Sequence, residues 1–154
     1  MAPKIKNAVL LGKTHKSIYF DTLTYGAFNY YFELFYKDKD KKIVPSNIQD
    51  LLTARGLAYW AMDDGNPDRS GFIFNTYSFT LAEVELLIKA LENKFGLVCS
   101  VQSRIANGRK IHLIYIKSES WKLFKSLVEP YVITHFAYKL QLRGSYSKKN
   151  IKVY

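Results

Sequence analysis

Apolar residues recur along the chain with two periods, one typical of strands and one typical of helices. In the first third, Lys16 to Thr22 alternates and is rich in β-forming side chains, which predicts a strand. The next segment, Tyr25 to Tyr36, places aromatic residues three and four positions apart, which predicts a helix. A charged loop follows from Lys37 to Lys42, and Pro45 prevents the helix from continuing.

The middle of the chain is predicted to alternate between helices and strands. The pattern predicts a helix from Thr53 to Asp64, a strand from Gly71 to Ser78, and a helix from Thr80 to about Phe95. Thr80 and Glu83 have the spacing of a capping box, and Gly65-Asn66-Pro67 ends the first helix. The segment from Asn66 to Gly71 leaves room for one additional strand.

The last third predicts a hairpin and one more helix. Val98 to Ile105 and Lys110 to Ile116 flank Asn107-Gly108, a strong hairpin signal. Ser118 is predicted to cap a helix that runs to about Val128. The order of elements predicts an α+β fold, with helices packed on one face of an antiparallel sheet.

An internal similarity divides the chain. The strand and helix from Ile18 to Phe35 match those from His112 to Val128, with Phe28 opposite Trp121, an offset of 121 − 28 = 93 residues. Subtracting this offset from Asp64 gives a position before the first residue. We therefore expect a complete second repeat over residues 51–140, preceded by the C-terminal part of a first repeat over 1–50 and followed by a basic tail over 141–154.

The charge of the chain narrows the choice of partner. A formal net charge of +10 and a pI near 9.6 indicate a polyanionic partner, nucleic acid above all, although such a charge can also serve solubility alone. We expect no role at membranes, because no apolar run reaches the length of a membrane span and no amphipathic helix combines a basic face with a free apolar face. The abundance of Lys, Asn, Ile, Tyr and Phe is typical of A/T-rich organelle genomes and favours a mitochondrion or chloroplast.

Cys99 and Asp64 each lead to a specific prediction. Cys99 is the single cysteine, which excludes an intramolecular disulfide or a cysteine-based zinc site, and its strand pattern predicts a small buried apolar residue. Asp64 ends an apolar helix, where the helix dipole and partial burial both disfavour negative charge. A divalent metal ion would offset that cost.

The helix that ends at Asp64 resembles the motif of a known family. Leu57 to Gly65 reads Leu-Ala-Tyr-Trp-Ala-Met-Asp-Asp-Gly, and the chain resembles LAGLIDADG homing endonucleases from about Lys16 to Leu140. The similarity is greatest to the second half of two-repeat members encoded in mitochondrial introns. Further matching segments are Asn75-Thr76-x-Ser78-Phe79, Glu83-Val84-Glu85-Leu86-Leu87, Lys94-Phe95-Gly96-Leu97-x-Cys99 and Tyr138-Lys139-Leu140.

The resemblance implies a catalytic centre shared between two motif helices. Each helix would deliver its last aspartate, here Asp64, and the paired carboxylates would hold Mg²⁺ for phosphodiester hydrolysis. Lys139 and Lys42 match the basic residues that the family places near each scissile strand. For Lys42, a solvated loop charge is an alternative interpretation, and Asp63 is expected to be structural.

The resemblance also implies that the sheet lies in the major groove of DNA. The alternation predicts one polar face, formed by Ser100, Gln102, Arg104, Lys110 and His112, with Asn75 and Tyr77 joining it from the preceding strand. Tyr77 stands where the family often has an amide, which suggests altered readout or stacking on an unpaired base. The tail, with Arg143, Lys148 and Lys149, is predicted to contact phosphates or to remain a solvated extension.

One motif helix is present where a nuclease of this kind needs two. We therefore expect a second polypeptide that carries the first LAGLIDADG helix and restores a nuclease for double-stranded DNA. The alternative is a catalytically inactive protein that binds structured RNA, either a maturase-like splicing cofactor or a component of a ribonucleoprotein assembly such as the mitochondrial ribosome. Asp64, Lys139 and Lys42 favour the nuclease, whereas the missing motif, Tyr77 and the basic tail favour RNA.

Overall fold

The computed structural model describes residues 3–10, 12–21, 23–38, 40–106 and 108–141. The chain divides into two compact units, residues 1–34 and residues 35–154.

The N-terminal unit consists of a hairpin and a helix. Strand β1 (Lys4–Leu10) pairs antiparallel with β2 (Lys13–Tyr19), and a 3₁₀ turn (Gly26–Phe28) leads into helix α1 (Asn29–Phe35), whose last residue begins the other unit. The sequence predicted only one strand here, and β2 begins and ends three residues earlier than expected. Strand β1 was not predicted, because its lysines and asparagine interrupt the run of apolar and β-forming residues.

The N-terminal unit has no buried core among its described residues. Every residue of 3–33 whose burial is described is exposed. The exposed side chains include Ile18 and Phe28, at 72% and 59% of their full accessible area. An apolar surface of this kind is typical of an interaction surface. The interpretation of residues 1–50 as a half-repeat stays a prediction.

The second unit contains the remaining elements. They are β3 (Tyr36–Lys37), β4 (Lys41–Lys42), α2 (Ile48–Leu51), α3 (Ala54–Asp64), β5 (Gly65–Asp68), β6 (Gly71–Asn75), α4 (Leu81–Phe95), β7 (Cys99–Ala106), β8 (Arg109–Ile116) and α5 (Trp121–Val128), followed by 3₁₀ turns (Glu129–Tyr131 and Thr134–Leu140). Strand β5 occupies the segment in which the sequence allowed one additional strand.

The main sheet has four antiparallel strands in the order β5-β6-β8-β7. Pro67 lies in the edge strand β5, where the missing N–H of a proline is tolerated. One face of the sheet packs against the helices around a continuous apolar core, whose largest fully buried side chains are Phe72, Phe74, Phe124, Leu57 and Leu91. The α+β fold expected from the sequence is therefore confirmed.

Local hydrogen bonds explain where the two long helices begin and end. Thr53 Oγ1 accepts from the Gly56 N–H at 3.0 Å at the start of α3. Thr80 and Glu83 form the predicted capping box at the start of α4. Gly96 ends α4 with a φ of +67°, a conformation that glycine adopts without strain.

The end of the sheet shows one difference from the sequence prediction. Ser118 begins a 3₁₀ turn (Ser118–Ser120) instead of capping α5, and Ser120 Oγ accepts from the Val98 N–H at 2.8 Å. Cys99 is buried as predicted, and burial raises the pKa of its thiol to about 12. Among the described residues, no helix has both the length and the apolar character needed to cross a bilayer.

Gly65 allows α3 and β6 to approach closely, and we expect Gly65→Ala to destabilise the fold. A Cβ at this position would lie 2.4 Å from the Phe72 ring and 2.6 Å from the Ala61 carbonyl oxygen. Such overpacking costs about 1–3 kcal/mol of the free energy of unfolding. Urea unfolding measures this change.

Gly56→Ala is the matched control for Gly65→Ala. A Cβ at Gly56 would meet only Thr53 Oγ1, at 3.4 Å, in the same helix. Because alanine favours helices, this change is expected to raise stability by up to about 1 kcal/mol. Equal stability of the two variants would contradict the proposed steric role of Gly65.

Candidate functional site

Asp64 is the last residue of α3, and the structure places it at an open surface. Leu57, Ala58, Ala61 and Met62 bury one side of the helix, whereas Asp63 and Asp64 are both exposed. The partial burial expected for the Asp64 carboxylate is therefore wrong for this chain. Its oxygens are accessible to solvent and to a ligand.

The carbonyl groups at the end of α3 all have hydrogen-bond donors. The last four carbonyls of a helix lack partners within the helix and need donors from elsewhere. Ala61 O accepts from the Gly65 N–H, and Asp64 O accepts from Asn75 Nδ2 at 2.9 Å. The other two, Met62 O and Asp63 O, accept from Lys139 Nζ at 2.5 and 3.2 Å. Together these bonds fix the position of the Asp64 backbone.

Lys139 reaches the helix end from a distant segment. It lies in the 3₁₀ turn near the end of the described chain and is 93% buried, with 7% of its area exposed. Burial lowers the pKa of its ammonium group, and the carboxylates of Asp63 and Asp64 oppose that shift. The structure therefore brings Lys139 to the motif helix, where its ammonium donates to backbone carbonyls. Its catalytic role beside a scissile strand stays a prediction.

Lys42 and Asp64 line one cavity. This cavity has a volume of about 260 Å³, and its polar lining residues are Lys42, Asp63 and Asp64. The rest of the lining is mainly apolar and includes Trp60 and Phe79. Lys42 is exposed in β4, so its ammonium can reach a ligand held near Asp64. A cation and a carboxylate at one opening form an arrangement suited to a phosphate with a bridging cation.

The outer face of the sheet, on the side away from the helices, is defined by the strand register. Residues that pair across neighbouring strands share a face. Ser100 pairs with Tyr115, Gln102 with Leu113 and Arg104 with Ile111, while Asn75 pairs with Leu113 and Ile73 with Tyr115. The outer face therefore combines the predicted Ser100, Gln102, Arg104 and Asn75 with an apolar strip of Ile73, Ile111, Leu113 and Tyr115.

Lys110 and His112 lie on the other face of the sheet, and their predicted position is wrong. Lys110 pairs with Ile105 and His112 with Ser103, whose Oγ is 3.0 Å from His112 Nδ1. The reason is the two-residue turn of the hairpin, which pairs even-numbered residues of β7 with odd-numbered residues of β8. A polar face that holds the even positions of β7 therefore continues through the odd positions of β8.

Two grooves lie on this outer face. One, of about 330 Å³, is lined by Asn66, Pro67, Asp68, Ile73, Asn75, Tyr77 and Arg104. The other, of about 430 Å³, is lined by Tyr77, Ala106, Arg109 and Ile111. Tyr77 joins both grooves and is 57% exposed, in agreement with its predicted position. Arg109 and Asn66 were not among the predicted binding residues. The residue pairing that a two-residue turn imposes is the signal that identifies Arg109.

Asn75 has a structural contact in addition to its place on the outer face. Its Nδ2 donates to Asp64 O, so the same side chain links the sheet surface to the end of the motif helix. Arg143, Lys148 and Lys149 lie outside the described residues, so their predicted phosphate contacts stay a prediction. Within the described parts of the chain, no three His, Cys, Asp or Glu side chains come together as a metal site.

The geometry defines a class of protein: an α+β domain whose open sheet face adjoins a helix that ends in an exposed aspartate. The family model described as the LAGLIDADG DNA endonuclease family matches residues 1–124. The chain belongs to this family.

Relatives in the family include both endonucleases and maturases. The intron-encoded endonuclease ai4 of Dictyostelium discoideum is 36% identical over 124 residues, which cover 80% of this chain and 77% of that protein. The cytochrome b mRNA maturase bI2 of Saccharomyces cerevisiae is 34% identical over 137 residues, covering 84% of this chain and 31% of the maturase.

A solved structure shows the same fold. The homing endonuclease I-WcaI, bound to its DNA recognition sequence, superimposes with a TM-score of 0.82 at 30% sequence identity. The match covers 92% of this chain and 65% of that chain. The chain described here thus spans about two thirds of the solved endonuclease and under a third of the yeast maturase.

We expect Lys139→Met to destabilise the protein. The substitution keeps the apolar stem but leaves Met62 O and Asp63 O without their donor, which costs about 1–3 kcal/mol of the free energy of unfolding. Lys122→Met is the control, because Lys122 is an exposed lysine of α5. Chemical unfolding of both variants measures the difference, and equal losses would contradict the capping role.

The destabilisation should also depend on pH. The pKa of Lys139 is lowered from its ordinary 10.5, so between the folded and unfolded pKa values the unfolded state binds more protons. The free energy of unfolding of the wild type therefore rises with pH through that window, relative to Lys139→Met. If the difference in the free energy of unfolding between the wild type and Lys139→Met became smaller towards pH 10.5, the pKa of Lys139 would be raised instead of lowered.

Proposed function

We propose that this chain binds nucleic acid through the outer sheet face and acts as one part of a split homing endonuclease. A second polypeptide supplies the other motif helix, and the two together make Mg²⁺-dependent double-strand cuts in DNA. The observation that carries this proposal is the exposed carboxylate of Asp64, held at a fully capped helix end beside Lys42.

The residues present fit one half of a magnesium site. Mg²⁺ prefers oxygen ligands and is usually held by one or two carboxylates together with water and phosphate oxygens. Asp64 offers such an oxygen, and the remaining protein ligand comes from the partner's motif helix. When bound, Mg²⁺ polarises a phosphate and activates water for attack. Lys42 neutralises charge at the phosphate, and Lys139 holds the carboxylate-bearing helix end in place.

The outer sheet face supports the binding part of the proposal. Arg104 and Arg109 offer cationic forks, while Gln102 and Asn66 offer amides, the groups that read base edges and phosphates in the major groove. The solved relative that resembles this chain is bound to DNA. Phosphate contacts would position the sheet, and the amides and arginines would contribute specificity.

A second function, the binding of structured RNA as a maturase-like splicing cofactor or ribonucleoprotein component, is supported by two observations. Cytochrome b mRNA maturases from two yeasts, S. cerevisiae and Debaryomyces hansenii, are 34% and 33% identical to this chain. Tyr77 also presents an exposed ring on which an unpaired base can stack. Under either function we propose a location in a mitochondrion or chloroplast, which the cytochrome b maturases support.

Asp64→Asn should abolish metal-dependent cleavage by the chain purified together with its native partner. Even groups that only support metal ligands cost about 10- to 100-fold when mutated, so loss of a ligand should exceed about 100-fold. The assay follows cutting of genomic DNA with Mg²⁺ and with EDTA. Asp63→Asn is the matched control and should retain cutting. Co-purified intron or ribosomal RNA, with no cutting under any divalent metal, would overturn the nuclease in favour of the RNA-binding function.

Arg104→Ala should weaken binding to a mixed-sequence DNA duplex by about tenfold, in keeping with about 1–3 kcal/mol for an arginine contact. Lys110→Ala removes a charge from the same hairpin but from the opposite face, and should have less than half that effect on the binding free energy. Fluorescence anisotropy at two salt concentrations measures both variants. Equal losses would contradict the assignment of the outer face as the binding surface.

A further inference from the structure

The two hairpins of the chain are equivalent in detail. Gly12 and Gly108 each precede the second strand of a hairpin, with φ values of +74° and +72°. The pairs that flank the turns, Leu10 with Lys13 and Ala106 with Arg109, have the same register. The glycines give an offset of 108 − 12 = 96 residues, which relates β1 and β2 to β7 and β8. This register corrects the offset of 93 that the sequence suggested for the strands, whereas 93 is kept for the helices that follow them.

This offset relates exposed residues of the N-terminal unit to buried residues of the second unit. Ile114 and Ile116 are fully buried, with 0% of their area exposed. Their equivalents, Ile18 and Phe20, are 72% and 64% exposed. The apolar character of both positions is kept, so the sequence of the N-terminal hairpin is suited to a buried environment that its own unit does not provide.

Strand β6 covers these positions in the second unit. It pairs Phe72 with Ile116 and Phe74 with Ile114, and both phenylalanines are fully buried. Among the described residues of the N-terminal unit, β2 pairs with β1 alone. The edge formed by Ser17–Tyr19 of β2 and the following Phe20, equivalent to Leu113–Ile116, is thus open.

The helices that follow the hairpins lead to the same conclusion. The Phe72 ring lies 4.7 Å from that of Phe124 and 6.3 Å from that of Trp121, measured between ring centroids. In the helical alignment, Trp121 matches Phe28 and Phe124 matches Tyr31, which are 59% and 54% exposed. Strand β6 therefore covers both the edge of β8 and one face of α5. An equivalent strand would bury four exposed side chains of the N-terminal unit: Ile18, Phe20, Phe28 and Tyr31.

We propose that the β2 edge over Ser17–Phe20 binds an antiparallel strand of the partner polypeptide. That strand carries two large apolar side chains two residues apart, as Phe72 and Phe74 are in β6, and it belongs to a helix–strand–strand–helix segment like Thr53–Phe95. This inference rests on the proposed second polypeptide and specifies how it joins the chain.

A second copy of this chain is a poorer occupant than such a partner. Its strand of the required pattern, β6, is already paired on both sides, with β5 and with β8. Two chains that each carry a net charge of +10 also repel one another. Nucleic acid is also a poorer occupant, because Ile18, Phe20 and Phe28 expose apolar side chains that offer no hydrogen bonds to phosphates or base edges. The charge of the chain favours a partner that is neutral or acidic.

Hydrogen–deuterium exchange on two proteins tests the proposal. The first is the full chain. The second is the full chain with a second copy of residues 51–98 joined directly before Pro3, which supplies an equivalent of the proposed partner segment in the correct register. We expect amides of Ser17–Phe20 to exchange rapidly in the first protein and at least about tenfold more slowly in the second. Amides of Leu113–Ile116 should be protected in both and report that the second repeat is folded.

Single substitutions in the extended protein provide the matched control. Ile18→Lys or Phe20→Lys should remove the new protection of Ser17–Phe20. Val9→Lys should leave it, because Val9 is equivalent to Ile105, which is 82% exposed in the complete repeat.

Two results would overturn the proposal. One is rapid exchange at Ser17–Phe20 in the extended protein while Leu113–Ile116 stays protected. The other is concentration-dependent protection of Ser17–Phe20 in the full chain alone, which would identify a second copy as the occupant. Because exchange is measured without nucleic acid or metal, absence of DNA cleavage would test the proposed function separately.

Discussion

The arrangement at the candidate site depends on the hydrogen bonds that close the C-terminal end of α3. Lys139 donates to Met62 O and Asp63 O, Asn75 donates to Asp64 O, and Gly65 donates to Ala61 O. Buried or half-buried carbonyls without donors are costly, so the helix end is stable only while those segments stay in place. These hydrogen bonds keep the backbone at Asp64 from fraying, and that backbone determines where the Asp64 carboxylate lies. Under the proposed function, a fixed backbone lowers the conformational entropy that this carboxylate would lose on binding a cation.

The two lysines to which the family resemblance points have different roles in this structure. Lys139 is buried, and its ammonium donates to two carbonyl oxygens. Lys42 is exposed and shares a cavity with Asp64. The first lysine therefore supports the carboxylate through the backbone, and the second is available for direct contact with a phosphate. A sequence motif cannot distinguish the two roles, because both depend on which atoms lie within hydrogen-bond distance of each lysine.

Much of the fold followed from the sequence, because the strongest local signals agreed with one another. The capping box at Thr80, the helix that ends at Asp64 and the hairpin after Val98 all lie where patterns of spacing and turn residues placed them. The errors have definite causes. The position of His112 depends on the residue pairing that a two-residue turn imposes, and alternation within one strand does not contain that information. The link from Lys139 to Met62 joins residues 77 positions apart, and no local pattern encodes it.

The uncovered N-terminal unit has a consequence for the life of the protein in a cell. Exposed isoleucine, phenylalanine and tyrosine side chains beside an open strand edge are the features by which chaperones and proteases recognise incomplete proteins. Under the proposed assembly, a molecule that meets its partner soon after synthesis hides these features, and one that does not is removed. The amount of partner then limits the steady-state amount of this chain. The exposed surface would thus keep the amounts of the two gene products equal.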